Sequence, residues 1–479
     1  MDLRLIAPEL WLGVLSLGLL IVELLTGPDG KRLVGWIGVI GLVLALAPSW
    51  ALLGEPPRLL FAGAYAVDAF AAFFKLVAVL SGILVLLAAM AFFRGRPGGH
   101  EGEVYTLIVF MVLGLVAMAA SADLILLFLV IEFVSLVSYV LAGSLKADAK
   151  SSEAGVKYFF FGAVASAIML YGFSYLYGAG GTTNLYRLGP RLASFPEPFV
   201  VVAAALVLAG LGFKISLVPF HQWTPDVYEG APAPVTAFLS VGSKAAAFAA
   251  LARVLYVALP PGAWVPVLAA LAAVTMSVGN LLALSQQNIK RMLAYSSIAQ
   301  AGYMMIGVVA LTASPTQVGS GIAAVLYYLL AYVFTNAGAF AVVVAAERLL
   351  GSDTIADYVG FGRRAPLAAF AMTVFMLSLT GIPPTALFWG KLSLFGAALQ
   401  SGLAWLAIVG ILNSAASLYY YLGVVRVMYA QAPVDAVPAS EGALMRVLLV
   451  VAAGATLVLG IYPEPFVRLV QRASLLLRV

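Results

Sequence analysis

The sequence predicts an all-α protein that crosses a membrane many times, and three observations carry this. Hydrophobic residues make up 63% of the 479 residues and charged residues only 10%, against roughly 45–50% and about 25% in soluble domains. Apolar runs of the ~20 residues that a spanning helix requires recur about fourteen times along the chain. The alternating segments of a membrane β-barrel are missing. So few charges cannot clothe a water-facing surface, which excludes a soluble globular enzyme. The abundance of apolar side chains excludes a disordered chain.

The runs lie near 5–26, 33–53, 69–93, 104–121, 122–143, 157–179, 199–220, 233–256, 265–285, 297–312, 319–346, 367–399, 402–428 and 445–462. The first carries Glu9 and Glu23 and no basic leader beyond Arg4, so it reads as a span and not as a cleaved signal. Connections are short and rich in Gly, Pro and charge, as at 27–32 and 94–99. None is long enough for a separate soluble domain. The formal net charge of +5 comes from basic residues scattered between spans, a topology signal and not a nucleic-acid surface. Lys31, Arg32, Arg94, Arg96, Lys146, Lys150, Lys290, Arg291, Arg363 and Arg364 fall on one side, which is expected to be cytoplasmic. Arg58, Arg187 and Arg191 fall on the other. An even span count then puts both termini outside, although the basic tail of Arg468, Arg472 and Arg478 opposes that placement.

Two spans carry breaks. The seventh contains Lys214-Ile215-Ser216-Leu217-Val218-Pro219, and the twelfth contains Thr380-Gly381-Ile382-Pro383-Pro384. Proline removes a backbone donor and clashes with the preceding turn, and such a break persists in lipid only where protein or water satisfies the freed groups. Paired interruptions point to an inverted-repeat transporter core, with ordinary proline kinks as the alternative. The expected division is a three-helix unit over 1–103, repeats over 104–256 and 265–428, and a last helix with its tail over 445–479.

Ionisable residues inside spans cost about 2.5–3.5 kcal/mol each on insertion scales and mark pathways. Glu132 lies in the middle of the fifth run, Lys214 just before the first break, Lys244 in the eighth run and Lys391 just after the second break. They are candidates for a chain of proton-exchanging groups, because desolvation disfavours a buried ammonium and a nearby carboxylate restores it. A buried structural ion pair of Glu132 with Lys214, and neutral or snorkelled lysines at 244 and 391, are the alternatives. Lys75, Lys157, Glu347 and Arg426 lie nearer span ends, where snorkelling is expected. His221 follows the first break and reads equally as a proton relay or a structural hydrogen-bonder; His100 reads as surface. Asp226 and Glu229 read as a loop or cap at the cytoplasmic face, with proton intake as the other reading. The tyrosines at 327–328 and 419–421 read as packing. There is no cysteine, which excludes disulfides and thiolate-held clusters, and no nucleotide or metal-ligand motif is present.

The stretch Phe213–Lys244, FKISLVPFHQWTPDVYEGAPAPVTAFLSVGSK, resembles the proton-channel signature of the antiporter-like membrane subunits of complex I. Its TPDVYEGAP form is similar to that of the subunit N family of NADH-quinone oxidoreductase, the counterpart of mitochondrial subunit 2. Asn288–Gly302, Leu377–Lys391 and Lys157–Asn184 match as well, so the resemblance covers essentially the whole chain. It implies fourteen helices, two inverted five-helix repeats, and broken seventh and twelfth helices. It also implies a proton relay through Glu132, Lys214, Lys244 and Lys391, driven by quinone reduction elsewhere. The chain itself is expected to hold no cofactor, with NADH, FMN, iron–sulfur clusters and quinone served by other subunits. Implied neighbours are subunits K, J and M and the lateral helix of subunit L, in the inner membrane of a bacterium. A subunit of a multi-subunit sodium/proton antiporter and a non-transporting scaffold are the competing readings.

Overall fold

The computed structural model describes residues 2–27, 30–94, 100–310, 319–430 and 441–474. Arg96 and Arg478, two of the expected topology signals, and most of the Gly-rich 94–99 connection lie outside the described residues. The helices run, in order, α1 Ala7–Leu25, α2 Lys31–Ala51, α3 Ala69–Phe93, α4 Glu101–Ala120, α5 Leu124–Ala142, α6 Ala149–Gly180, α7 Leu185–Leu192, α8 Glu197–Ile215, α9 Trp223–Gly230, α10 Ala233–Phe238, α11 Lys244–Arg253, α12 Val265–Ala283, α13 Ile289–Val309, α14 Gly319–Leu350, α15 Phe361–Arg364, α16 Pro366–Thr380, α17 Ala386–Gln400, α18 Ala404–Ala430, α19 Ala443–Ile461 and α20 Glu464–Ala473. Among the described residues 13 helical rods are long and apolar enough to cross a membrane. The region of the twelfth run is not one of them: it is the two half-helices α16 and α17.

Two rods begin at a capping residue well before their apolar runs begin. Asp148 caps α6 through Lys150 N–H, and Asn288 caps α13 through Arg291 N–H. Both helices therefore start about two turns earlier than hydropathy indicates, with polar first turns. Helices α10 and α11 form one rod joined by a π turn over Leu239–Ser243. This rod is wholly buried, and α13 and α14 nearly so, while α1, α2, α6 and α18 turn long apolar faces outward. The centre of the bundle is thus protein-enclosed, which is where polar groups are tolerated in a membrane.

Charge sorts the two faces as the sequence predicts. Lys150 pairs with Glu229 at 3.0 Å, Arg291 with Asp226 at 2.7 Å and with Glu229 at 3.0 Å, and Lys290 with Glu347 and Asp353 at 3.5 Å. Arg348 reaches the Ala91 carbonyl near Arg94 at 2.9 Å. These contacts put the predicted cytoplasmic loops on one charged face. The opposite face carries a β-hairpin, β1 Arg58–Leu60 with β2 Tyr65–Val67, tied to the α6–α7 connection by Asn184 donating to the Gly63 carbonyl at 2.7 Å.

The snorkelling expectation fails for Lys75. It is buried and lies 2.8 Å from Glu9 and 3.0 Å from the Tyr65 hydroxyl. The carboxylate that keeps it inside comes from α1, distant in sequence, so no local pattern announces it. Lys157 does reach the charged face, where its partly exposed side chain is bound by Glu153 at 2.6 Å and Asp226 at 2.7 Å. Arg426 is exposed.

Candidate functional site: a buried polar axis

Lys214 occupies the last turn of α8, where Ser216 turns left-handed at φ 64° and ends the helix. The break is satisfied from its surroundings. Trp223 Nε1 donates to the Phe213 carbonyl at 3.0 Å, Thr224 Oγ1 to Ser216 Oγ at 2.9 Å, and the Val218 N–H to Thr275 Oγ1 at 3.1 Å. The Lys214 side chain is 4% exposed and its Nζ has no hydrogen-bond partner among the described residues. Aromatic faces surround it instead, with Tyr139, Tyr158 and Phe213 ring centres 5.8–5.9 Å away. Each is within the range of a cation–π contact.

Glu132, on α5, is the carboxylate expected to act on Lys214. Among the described residues no direct ion pair closes between them, which counts against the structural ion pair given as the alternative reading. Glu132 instead accepts a hydrogen bond from Ser166 of α6, so its oxygen is engaged one helix away. His221 lies in the break, half-buried, with Nδ1 lacking a side-chain partner, and it bonds none of the three lysines.

Lys244 is the first residue after the π turn and is fully buried. Its Nζ donates to the Ser297 carbonyl at 2.7 Å and to Ser297 Oγ at 2.6 Å. Lys391, on the second turn of α17, is 4% exposed. Its Nζ donates to the Leu379 carbonyl at 3.0 Å, the Thr380 carbonyl at 2.8 Å and Ser414 Oγ at 2.8 Å, and lies 4.5 Å from the Tyr303 ring centre. Those carbonyls form the C-terminal end of α16, the negative pole of a helix and a fitting seat for a cation. Gly381 turns the chain there at φ 90°, and a Cβ on it would stand 2.9 Å from Lys391 Cδ. The conformation demands glycine, and a side chain there would also displace Lys391.

Between Lys244 and Lys391 the structure places a polar file that the charge pattern does not announce, in two groups: Ser297, bonded to Lys244, and a hydrogen-bonded set that runs from its chain neighbour Ser296 to Lys391. Ser296, next to Ser297, shares a 2.5 Å hydrogen bond with the Tyr421 hydroxyl. Gln300 Nε2 donates to that hydroxyl at 3.0 Å and to the Leu379 carbonyl at 3.1 Å, and Gln300 Oε1 accepts from Tyr328. The Leu379 carbonyl is already a partner of Lys391. The available signal is the run Tyr295-Ser296-Ser297-Ile298-Ala299-Gln300, polar residues in an otherwise apolar span. Beyond Lys391, Tyr420 donates to Asn280 at 2.8 Å, and Asn280 donates to Tyr303 at 3.1 Å and to Asn413 at 3.2 Å. Tyrosines 328, 420 and 421 thus belong to the network as well as to the packing.

At the charged face Asp226 and Glu229 sit on α9 between Lys157, Lys150 and Arg291. Burial pushes both carboxyls up, but hydrogen bonds from these cations outweigh it and hold both below the usual carboxylate range. Among the described residues no three His, Asp or Glu side chains gather as a metal would require.

Residues 121–417, which contain the axis except Tyr420 and Tyr421, match the NADH:quinone oxidoreductase/Mrp antiporter transmembrane family. The chain belongs to that family. Within this antiporter-like family, NADH-quinone oxidoreductase subunit N 2 of Sorangium cellulosum is 46% identical over 98% of this chain and 97% of its own length. NADH-quinone oxidoreductase subunit N of Trichlorobacter lovleyi is 43% identical over 98% of this chain and 97% of its own. A chain of respiratory complex I from Thermus thermophilus superposes with a TM-score of 0.82 at 36% identity, covering 96% of this chain and 98% of that one. The family segment holds Glu132, Lys214, Lys244, Ser296, Ser297, Gln300 and Lys391 together, and leaves Tyr421, Glu9 and Lys75 outside it.

Proposed function

We propose that this chain moves protons across the membrane as an antiporter-like subunit of an NADH-quinone oxidoreductase, through Glu132, Lys214, Lys244 and Lys391. The observation that supports the reading best is the polar file from Lys244 to Lys391 inside helices that are otherwise apolar. A structural cation needs partners for itself and has no use for a row of further polar side chains set between it and a second cation. The hydroxyls of Ser297, Ser296 and Tyr421 both donate and accept, the property a proton relay requires. Gln300 fixes the far end of the file on the Leu379 carbonyl.

Lys214 begins the relay. Without a bonded partner, its charge depends on Glu132 acting at a distance, so a shift of that carboxylate loads or unloads the lysine. Moving one charge against about 200 mV requires roughly 4.6 kcal/mol. One pKa unit is worth about 1.36 kcal/mol. A change of three to four units in how strongly one lysine is held therefore suffices. His221, in the same break, is a second candidate relay group.

Energy comes from quinone reduction elsewhere in the complex. NADH oxidation, FMN, iron–sulfur clusters and quinone fall to other subunits, and this chain has no cysteine to hold a cluster. We place it beside subunits K, J and M and the lateral helix of subunit L in a bacterial inner membrane. Its two repeats occupy 104–256 and 265–428, between a three-helix unit over 1–103 and a final helix and tail over 445–479. The α16–α17 pair would supply the fourteenth crossing.

The test is Lys214→Ala in the intact complex. Redox-driven acidification of inside-out vesicles should collapse while the complex stays assembled; acidification at the parental rate would refute the relay and leave a scaffold.

A further inference from the structure

We propose that an anionic phospholipid is a fixed ligand of this chain, with its hydrocarbon in a cavity between α2, α3, α14 and α19 and its phosphate against the arginines of α20. The cavity measures about 700 Å³ and its lining is apolar throughout, with Trp50, Leu80, Phe334, Leu459, Phe466 and Leu469 among the residues that shape it.

Depth identifies the occupant. Helix α3 starts at the hairpin face with Ala69, and the deepest α3 residue of the lining, Leu80, lies about 17 Å further along the helix at 1.5 Å per residue. Helices α2 and α19 contribute from their ends at the same face, through Trp50 and Leu459. The cavity therefore spans about half of a ~30 Å hydrocarbon core, the depth of one leaflet.

Its mouth is built for a charged headgroup. Helix α20 packs on α3 and α14 and turns Phe466 and Leu469 into the cavity. One turn beyond Leu469 stands Arg472, exposed and in no ion pair among the described residues; Arg468, also exposed, lies 2.8 Å from Glu464. Such a helix, apolar below and basic above, lies in a membrane interface and favours anionic lipid. Trp50, 60% exposed at the same mouth, is the residue type that settles at headgroup level. A helix from a neighbouring subunit would bring no complement for Arg472 unless it carried an acid at that depth, whereas a glycerophosphate always does.

The experiment measures phospholipid retained by the whole complex after purification in mild detergent, by phosphorus content and headgroup mass spectrometry. Ala455→Trp, which fills the cavity, should retain one phospholipid fewer per complex than the parent. The double variant Arg468→Gln/Arg472→Gln should keep its lipid count but lose preference for anionic over zwitterionic lipid several-fold. If Ala455→Trp does not assemble, the arginine variant decides alone. Parental lipid content and headgroup preference in the assembled variants would overturn the proposal, and so would a structure of the complex with a neighbouring subunit's helix in the cavity.

Discussion

Replacing Gln300 by methionine tests whether the polar file matters, because the substitution keeps volume and removes only hydrogen bonds. Gln300 is buried, accepts from Tyr328, and donates to Tyr421 and to the Leu379 carbonyl. Losing the acceptor leaves the Tyr328 hydroxyl unpaired in the interior, at about 1–3 kcal/mol. Tyr421 keeps Ser296 and Leu379 keeps Lys391, so each of those two lost bonds contributes only about 0.5–1.5 kcal/mol. The variant should therefore be destabilised by roughly 2–6 kcal/mol, and assembly is measured first. Transfer between Lys244 and Lys391 should suffer separately. A barrier raised by only about 1.4 kcal/mol slows a step tenfold. Vesicle acidification per assembled complex should accordingly fall tenfold or more, together with coupled quinone reduction. Acidification at the parental rate in assembled Gln300→Met complex would refute the file as a proton route.

Lys391→Arg keeps the cation but fixes it, since Arg does not deprotonate in proteins; pumping should be lost with assembly retained, whereas full pumping would make Lys391 a structural cation. Gly381→Ala forces a Cβ into a left-handed turn against Lys391, so thermal stability of the complex should drop by about 1–3 kcal/mol, and no drop would show that the turn relaxes freely. The low carboxyl values of Asp226 and Glu229 contribute stability that is full above the unfolded carboxylate pKa near 4 and disappears as pH falls through the lower folded values. The stability gap between parent and Asp226→Asn should hence be constant from pH 8 to pH 5 and close below about pH 4; a gap that persists in acid would rule out the ion pairs as its source.

The breaks and the lysines were legible in the sequence because each violates a strong rule of the bilayer: proline in a span, or charge in hydrocarbon. Gln300, Ser296 and Ser297 break no such rule, since a helix absorbs neutral polar side chains easily, and their role emerges only when α13 meets α16 and α18. The Glu9–Lys75 pair is invisible for a different reason: its partners lie on α1 and α3, and only packing brings them within 2.8 Å. Early starts of α6 and α13 were missed because hydropathy reads the lipid-facing length of a helix, whereas capping by Asp148 and Asn288 sets its hydrogen-bonded length. Glu132 is legible by type but its contact is not, because Ser166 approaches from a neighbouring helix and engages it.

The π turn at Leu239–Ser243 has a geometric consequence for Lys244. A π turn accommodates one more residue than an α turn, and each residue advances a helix by about 100°. The rod therefore changes phase at this point: both segments pack on α3, but α10 turns its other side to α14 while α11 turns to α4 and α8. Lys244 is the first residue of the new phase, and that is how it comes to point at Ser297 on α13. Its direction is fixed by counting and not by the identity of the residues that are counted. Removing any one of the five would swing the ammonium by more than a quarter turn without altering a single side chain of the axis.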